Sequence, residues 1–196
     1  MSKLISMLLI WMMAAASVAF AQDAPLGLAW SASAEALKQA GVDLKEMEAD
    51  SFGKGFEARK LSKALADQES TFLSLGNNDK LWRIVVISKE FANDPMGIAI
   101  KRRYKDILDI LTEKYGQPKS HHTLGDSIYS EPKYFLAGIR GGNSFWYSDF
   151  STSDVDIQIG IFASTSSEAR WRIIYEYKPL RKVFDQSKRG REKSAL

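Results

Sequence analysis

Residues 94–115, DPMGIAIKRRYKDILDILTEKY, read as one amphipathic helix, and the rest of the architecture follows from what such a helix must cover. Asp94 is a good N-cap, because its carboxylate can accept from free backbone N–H groups. Pro95 then falls at the first helical position, where no N–H is needed and φ is already suitable. Ile100, Tyr104, Ile107, Leu108, Leu111 and Tyr115 keep the three-and-four spacing of a single apolar stripe. Lys101, Arg102, Lys105, Asp109 and Glu113 fall between them and stay wet, and Lys105 and Asp109 are spaced to pair. Gly116 and Pro118 stop the helix. A single stripe needs a partner surface, and the flanking sequence is strand-like, so the partner is a sheet.

Before the helix, Ser33 caps a short helix through Ala40, with Gly41 at its end. Strands are expected over Phe56–Leu61, Ser70–Leu75 and Leu81–Ile87, the last two joined by the polar turn Gly76-Asn77-Asn78-Asp79. Leu81–Ile87 is apolar on both parities, as a central strand covered on both faces would be. After the helix, 116–132 reads as a loop. Strands follow over Tyr134–Ile139, Ser144–Phe150, Val155–Ile161 and Trp171–Tyr177, with Arg140-Gly141-Gly142-Asn143 as a tight hairpin tip. Val155, Ile157, Ile159 and Ile161 alternate with Asp156, Gln158 and Gly160, and Trp171, Ile173, Tyr175 and Tyr177 alternate with Arg172 and Glu176.

The order is helix, three strands, long helix, four strands. It predicts an α+β fold of tandem helix-plus-antiparallel-meander units, 22–92 and 93–179, with the central helix 94–115 packed on antiparallel sheet. Most gaps between strands are too short for parallel crossovers.

Residues 1–21 read as a secretory signal peptide: Lys3, the apolar run Leu4–Val18, and a small-x-small site at Ala19-Phe20-Ala21. Cleavage there starts the mature chain at Gln22; the competing reading is an uncleaved anchor, for which the run is slightly short. The expected location is the periplasm or the medium, with no stable membrane anchor after cleavage. The chain has no cysteine, which excludes disulfides, thiolate metal sites and a lipidated-cysteine anchor. Its net charge of +3 is a property of the end: residues 178–196 hold seven basic and two acidic side chains, so the preceding body is acidic. The basic segment 180–196 is expected to be a flexible solvated tail, a short helix over Leu180–Phe184 aside. Nucleic acid is not an expected partner of an exported protein with this distribution; an envelope protein or polymer is.

Leu26-Gly27-Leu28-Ala29-Trp30 followed by Ser33-Ala34-Glu35-Ala36 resembles the GLxWG-type opening of small exported bacterial proteins of unknown function. Position 31 is Ser and 36 is Ala where that opening has Gly and Glu. Tyr104, Leu108, Leu111 and Lys114-Tyr115-Gly116-Gln117-Pro118 are similar to the KYGxP helix end of the same proteins. The order of elements also resembles β-lactamase-inhibitor-like tandem α+β repeats, and small outer-membrane assembly lipoproteins, whose lipidated Cys is missing here. The resemblance implies a non-enzymatic envelope protein and carries over no functional residue.

The chemistry-bearing groups are few. His121-His122, with Asp126 nearest, are two ligands where zinc or copper wants three or four. Ser120, Ser127 and Asp126 lie close to them, but no Gly-x-Ser-x-Gly elbow exists. Asp149, Asp154 and Asp156 surround a Ser/Thr turn where calcium or a glycosidase pair could be imagined, without the EF-hand pattern. Gly138–Gly142 with Arg140 reads as a hairpin tip rather than a phosphate cradle, because no helix follows. The aromatics Phe145, Trp146, Tyr147, Trp171, Tyr175 and Tyr177 are core by default, with outward members forming a partner surface. The expectation is no cofactor, no metal and no catalytic centre, in a binding protein whose interaction surface draws on Trp146, Tyr147, Asp149, Asp154 and Arg140. The alternatives are a hydrolase of envelope polymers, and an inhibitor or chaperone that uses a sheet face.

Overall fold

The structure, a computed structural model, describes residues 23–49, 51–76 and 78–195. The expected signal peptide lies outside the described residues. The helices are α1 Ala34–Gln39, α2 Ile98–Tyr115, α3 Phe135–Arg140 and α4 Lys178–Ala195. The strands are β1 Asp43–Glu46, β2 Lys54–Lys60, β3 Gln68–Leu75, β4 Leu81–Ser88, β5 Lys119–Thr123, β6 Phe145–Ser151, β7 Val155–Ala163 and β8 Ala169–Tyr177. No helix among the described residues is long and apolar enough to cross a membrane.

All eight strands form one antiparallel sheet in the order β1-β2-β3-β4-β8-β7-β6-β5. Each unit is a helix and a four-strand meander, and the two meanders meet through their last strands, β4 and β8. The fold is therefore the expected α+β arrangement, closed into a single sheet. One continuous core serves both units: Leu37 of α1, four residues of α2, and Phe135 and Leu136 of α3 share a cluster with Ile84, Val86, Ile159, Trp171 and Ile173. These helices thus cover the same face of the sheet.

The stripe of α2 is buried at Ile100, Tyr104, Ile107 and Leu111, with Leu108 and Tyr115 packed at its margin. Removal of each such side chain from water contributes about 1.5–3 kcal/mol. Asp94 does cap this helix, but from further upstream than expected. Its carboxylate accepts from the backbone N–H groups of Ile98, Ala99 and Ile100 at 2.7–3.2 Å. Pro95 is not the first helical residue; its carbonyl accepts from Leu136 N–H, and the helix begins three residues later.

Gly97 makes that start fit. Its φ is +64°, and a Cβ there would lie 2.3 Å from Cδ1 of the buried Phe135. Gly97→Ala is expected to lower stability by about 2–4 kcal/mol, the sum of left-handed strain and overpacking, read from the urea unfolding midpoint.

Further expectations are corrected. Tyr134–Ile139 is not a strand: a turn of 3-10 helix at Pro132–Tyr134 runs into α3, which buries Phe135 and Leu136 against β7. Its hydrophobic neighbours suit a short helix as well as an alternating strand. The edge of the second meander is instead β5, inside the expected loop 116–132; its Lys-Ser-His-His-Thr has no apolar residue to signal it. In the first unit, β1 adds a fourth strand at the opposite edge. The basic tail, expected to hold at most a short helix, is helical over Lys178–Ala195 as α4, with most of its side chains still exposed. Leu180, Val183, Phe184 and Ser187 recur at helical spacing and face Trp82. Phe184 is buried and stacks on Trp82 at 5.0 Å. β4 is central, as expected, but its second face is only partly covered: Val85 is buried while Arg83 and Ile87 are half-buried.

Candidate functional site

Strand alternation separates the candidate residues of β5 and β6 onto two faces. On the helix side, the Tyr104 hydroxyl lies 2.7 Å from Ser148 Oγ and 3.1 Å from His122 Nε2. Ser148 Oγ is 2.7 Å from Ser120 Oγ. The four groups form one chain of hydrogen bonds that surfaces at Ser120 and His122. Burial raises the pKa of Tyr104 to about 12, with Ser148 opposing and Asp149 reinforcing that rise. Burial, then the neighbouring His121, lowers the pKa of His122, so its imidazole is neutral at pH 7 and can accept from Tyr104. Trp146 is on this side too, stacked on His122 at 4.3 Å and edge-on to Phe135 at 5.4 Å. Tyr104→Phe leaves Ser148 with one partner and His122 with none in the chain, and is expected to cost about 1–2 kcal/mol in chemical denaturation.

The other face is the one that α1, α2 and α3 leave open. Register aligns its side chains in rows across the sheet. One row is Ile87, Arg172, Gly160, Tyr147 and His121. The next is Phe72, Val85, Ile174, Gln158, Asp149 and Lys119. The third is Ser74, Arg83, Glu176, Asp156 and Ser151. Phe72, Ile87, Ile174, Tyr147 and Phe162 are half-buried, and Phe145, at the start of β6, is 51% exposed.

Ion pairs border this apolar middle. Arg83 Nε donates to Glu176 at 3.1 Å, and Arg181 of α4 reaches Glu176 and Asp156. Lys178 Nζ lies 3.1 Å from Asp156 Oδ1. Arg170 pairs with Glu69 and Glu90. Arg172 is different: no carboxylate pairs with it among the described residues. Its guanidinium stands 5.7 Å above the Phe162 ring. Desolvation and the nearby Arg83 push its pKa below that of an ordinary arginine.

Of the residues expected to form an interaction surface, Tyr147 and Asp149 share the open face. His121 joins them, stacked on Tyr147 at 4.6 Å with Nε2 3.6 Å from Asp149 Oδ2. Trp146 faces the helices. Arg140 ends α3 and lines a cavity of about 380 Å³ together with Phe145, Tyr147, Gly160, Phe162 and Arg172. Asp154 lies in the β6–β7 turn at the other end of the strands, where Ser153 Oγ donates to it. Gly138 belongs to α3, so Gly138–Gly142 is a helix end rather than a hairpin tip. Arg172, Gly160 and Phe162 escaped the sequence reading as site residues, although strand parity already placed the first two outward.

Ser148 meets Tyr104 and Ser120, not a histidine–carboxylate pair, and the one histidine–carboxylate pair among the described residues, His121 with Asp149, is on the opposite face. A second cavity of about 360 Å³ takes in Asp149 and Asp156, but Arg181 lines it as well. No three His, Asp or Glu side chains among the described residues converge as metal ligands.

The fold and surface define an α+β protein of two helix-plus-meander units fused edge to edge, with one sheet face clothed and one largely bare. Compared with protein-family models, curated proteins and solved structures, the chain matches none.

Proposed function

We propose that this chain is a non-catalytic, exported binding protein of the bacterial cell envelope, and that the open sheet face is where it meets its partner. The observation that carries the reading is the one-sided coverage of the sheet. The core cluster takes α1, α2 and α3 on one face, while half-exposed apolar and aromatic side chains from five strands sit on the other. Contiguous apolar surface of this kind, bordered by ion pairs, is characteristic of interaction sites. The signal-like residues 1–21 supply the location, and the resemblance to exported bacterial proteins supports it. An inhibitor or chaperone would use the same face and differs only in whether its partner is folded.

The experiment is photo-crosslinking in cells that export the chain, with a photoreactive residue at Ile87 or Phe162 on the open face and at Ile110 on α2 as control. Discrete protein adducts are expected from the first two positions and none from the third. Adducts from none of them, or a specific saturable hydrolytic activity of the purified protein on envelope polymer, would overturn the reading.

A further inference from the structure

We infer that the hollow between β6, β7 and β8 on the open face receives a carboxylate side chain from an acidic, aromatic segment of a partner protein, with Arg172 as its principal counter-charge and Arg140 at its rim. The inference rests on the binding-protein reading above and adds the chemistry of what is bound.

Among the described residues of this face, Arg83, Arg170 and Arg181 each have a carboxylate, supplied by Glu176, Glu69 with Glu90, and Glu176 with Asp156. Arg172 lies in the same field of strands and has none. Its cross-strand neighbours are Ile87 and Gly160, which offer no acceptor side chain. No carboxylate is among the residues that line the hollow, whereas two guanidiniums are. A planar guanidinium matches a carboxylate through paired N–H donors, and such charge-assisted bonds are the stronger ones.

Gly160 sits between Arg172 and Tyr147 in its row, and its missing side chain leaves the floor low: a Cβ there would come within 3.1 Å of Tyr147 Cβ. The volume of about 380 Å³ holds a side chain with its neighbours. Its walls include Tyr147, Phe145 and Phe162, aromatic faces against which a flat ligand group can pack. Beside the hollow, Ile87 shares the row of Arg172, and Val85 and Ile174 make the apolar part of the next row. A small free anion would leave these side chains unmatched, and a protein segment would cover them. The acid therefore belongs to a polypeptide.

The test uses protein purified from cells that produce the full-length chain, at low ionic strength. The probe is acetyl-Phe-Glu-Phe-amide, compared with its Gln counterpart and with benzoate, by ¹H–¹⁵N NMR that includes the arginine Nε–Hε signals. The glutamate peptide should shift Tyr147, Gly160 and the Arg172 side chain saturably. The Gln peptide should bind about tenfold more weakly or worse, and benzoate likewise. Arg172→Gln should weaken the glutamate peptide by the same factor. Gly160→Val, which fills the floor and leaves the charge, should weaken it independently. Equal binding of the Gln peptide, an unchanged affinity in R172Q, benzoate binding as tightly as the peptide, or no saturable shift would each overturn the inference. Crosslinks from Ile87 without peptide binding would leave the binding-protein reading standing and remove the carboxylate; peptide binding without crosslinks would do the reverse.

Discussion

Replacing Ile107 with Asp should remove more than about 4 kcal/mol of stability, while the same change at Ile110, one turn along the same helix, should cost less than about 1 kcal/mol. Ile107 is 2% exposed and Ile110 is 56% exposed. At 107 the substitution deletes a buried side chain and places a carboxyl group against Tyr104, Leu111 and the strands beneath, where it must stay protonated or ionise without a partner. At 110 it exchanges one wet side chain for another, with a small loss of helix propensity. For a chain of this length the first change should lower the melting temperature by more than about 10 °C. Thermal unfolding followed by circular dichroism measures both variants. Similar shifts for the two would mean that α2 does not seal the sheet, and the fold argument would fail with it.

The helix was legible because one periodic signal ran through 18 residues with a capping acid before it and a glycine after it. β7 and β8 were legible for the same kind of reason: nine residues each, alternating almost without exception. What failed was short or carried no hydrophobic signal. β5 has no apolar residue, and its place is fixed from outside, by pairing with β6. In α3, six residues are too few for a helical period to be told from a strand's. The stripe of α4 was diluted by the surrounding lysines and arginines, and its anchor, Trp82, is a hundred residues away in sequence.

The site divided along the same line. Parity put Tyr147 and Asp149 on one face and Trp146 on the other, which follows from a period of two. That Arg172 has no carboxylate partner among the described residues does not follow from any local pattern. The acids that satisfy its neighbours come from Glu69 across β3 and from Glu176 beside β4, so they depend on the pairing of β4 with β8. Sequence can show that an arginine points outward; only register shows what it points toward.

Asp67→Ala should cost about 3–4 kcal/mol at pH 7, and part of the gap should close in acid. Asp67 stands before β3 and ties three elements together. Arg103 of α2 donates to its carboxylate through Nε at 3.0 Å and through a terminal nitrogen at 2.6 Å. Trp171 of β8, itself fully buried, donates from Nε1 at 2.8 Å. Alanine would leave the indole N–H and the guanidinium without their acceptor, which is the expensive way to break such a network. Burial alone would raise the pKa of Asp67, but the hydrogen bonds from Arg103 and Trp171 outweigh it and hold the group below its ordinary value of 3.8. A carboxyl group whose folded pKa is depressed stabilises the fold fully above its unfolded pKa, and that contribution is lost as pH falls through the folded value. The gap between parent and variant, measured by urea unfolding, should therefore be constant between pH 5 and pH 7 and narrow below about pH 4. It should not vanish, because a protonated carboxyl can still accept from Trp171. Asp67→Asn, which keeps an acceptor for the indole and loses the charge, should fall between the two and show no such narrowing against alanine. A gap that stays the same at pH 3 and pH 7 would assign the loss to packing and take the ion pair with Arg103 out of the account of what joins α2 to the sheet.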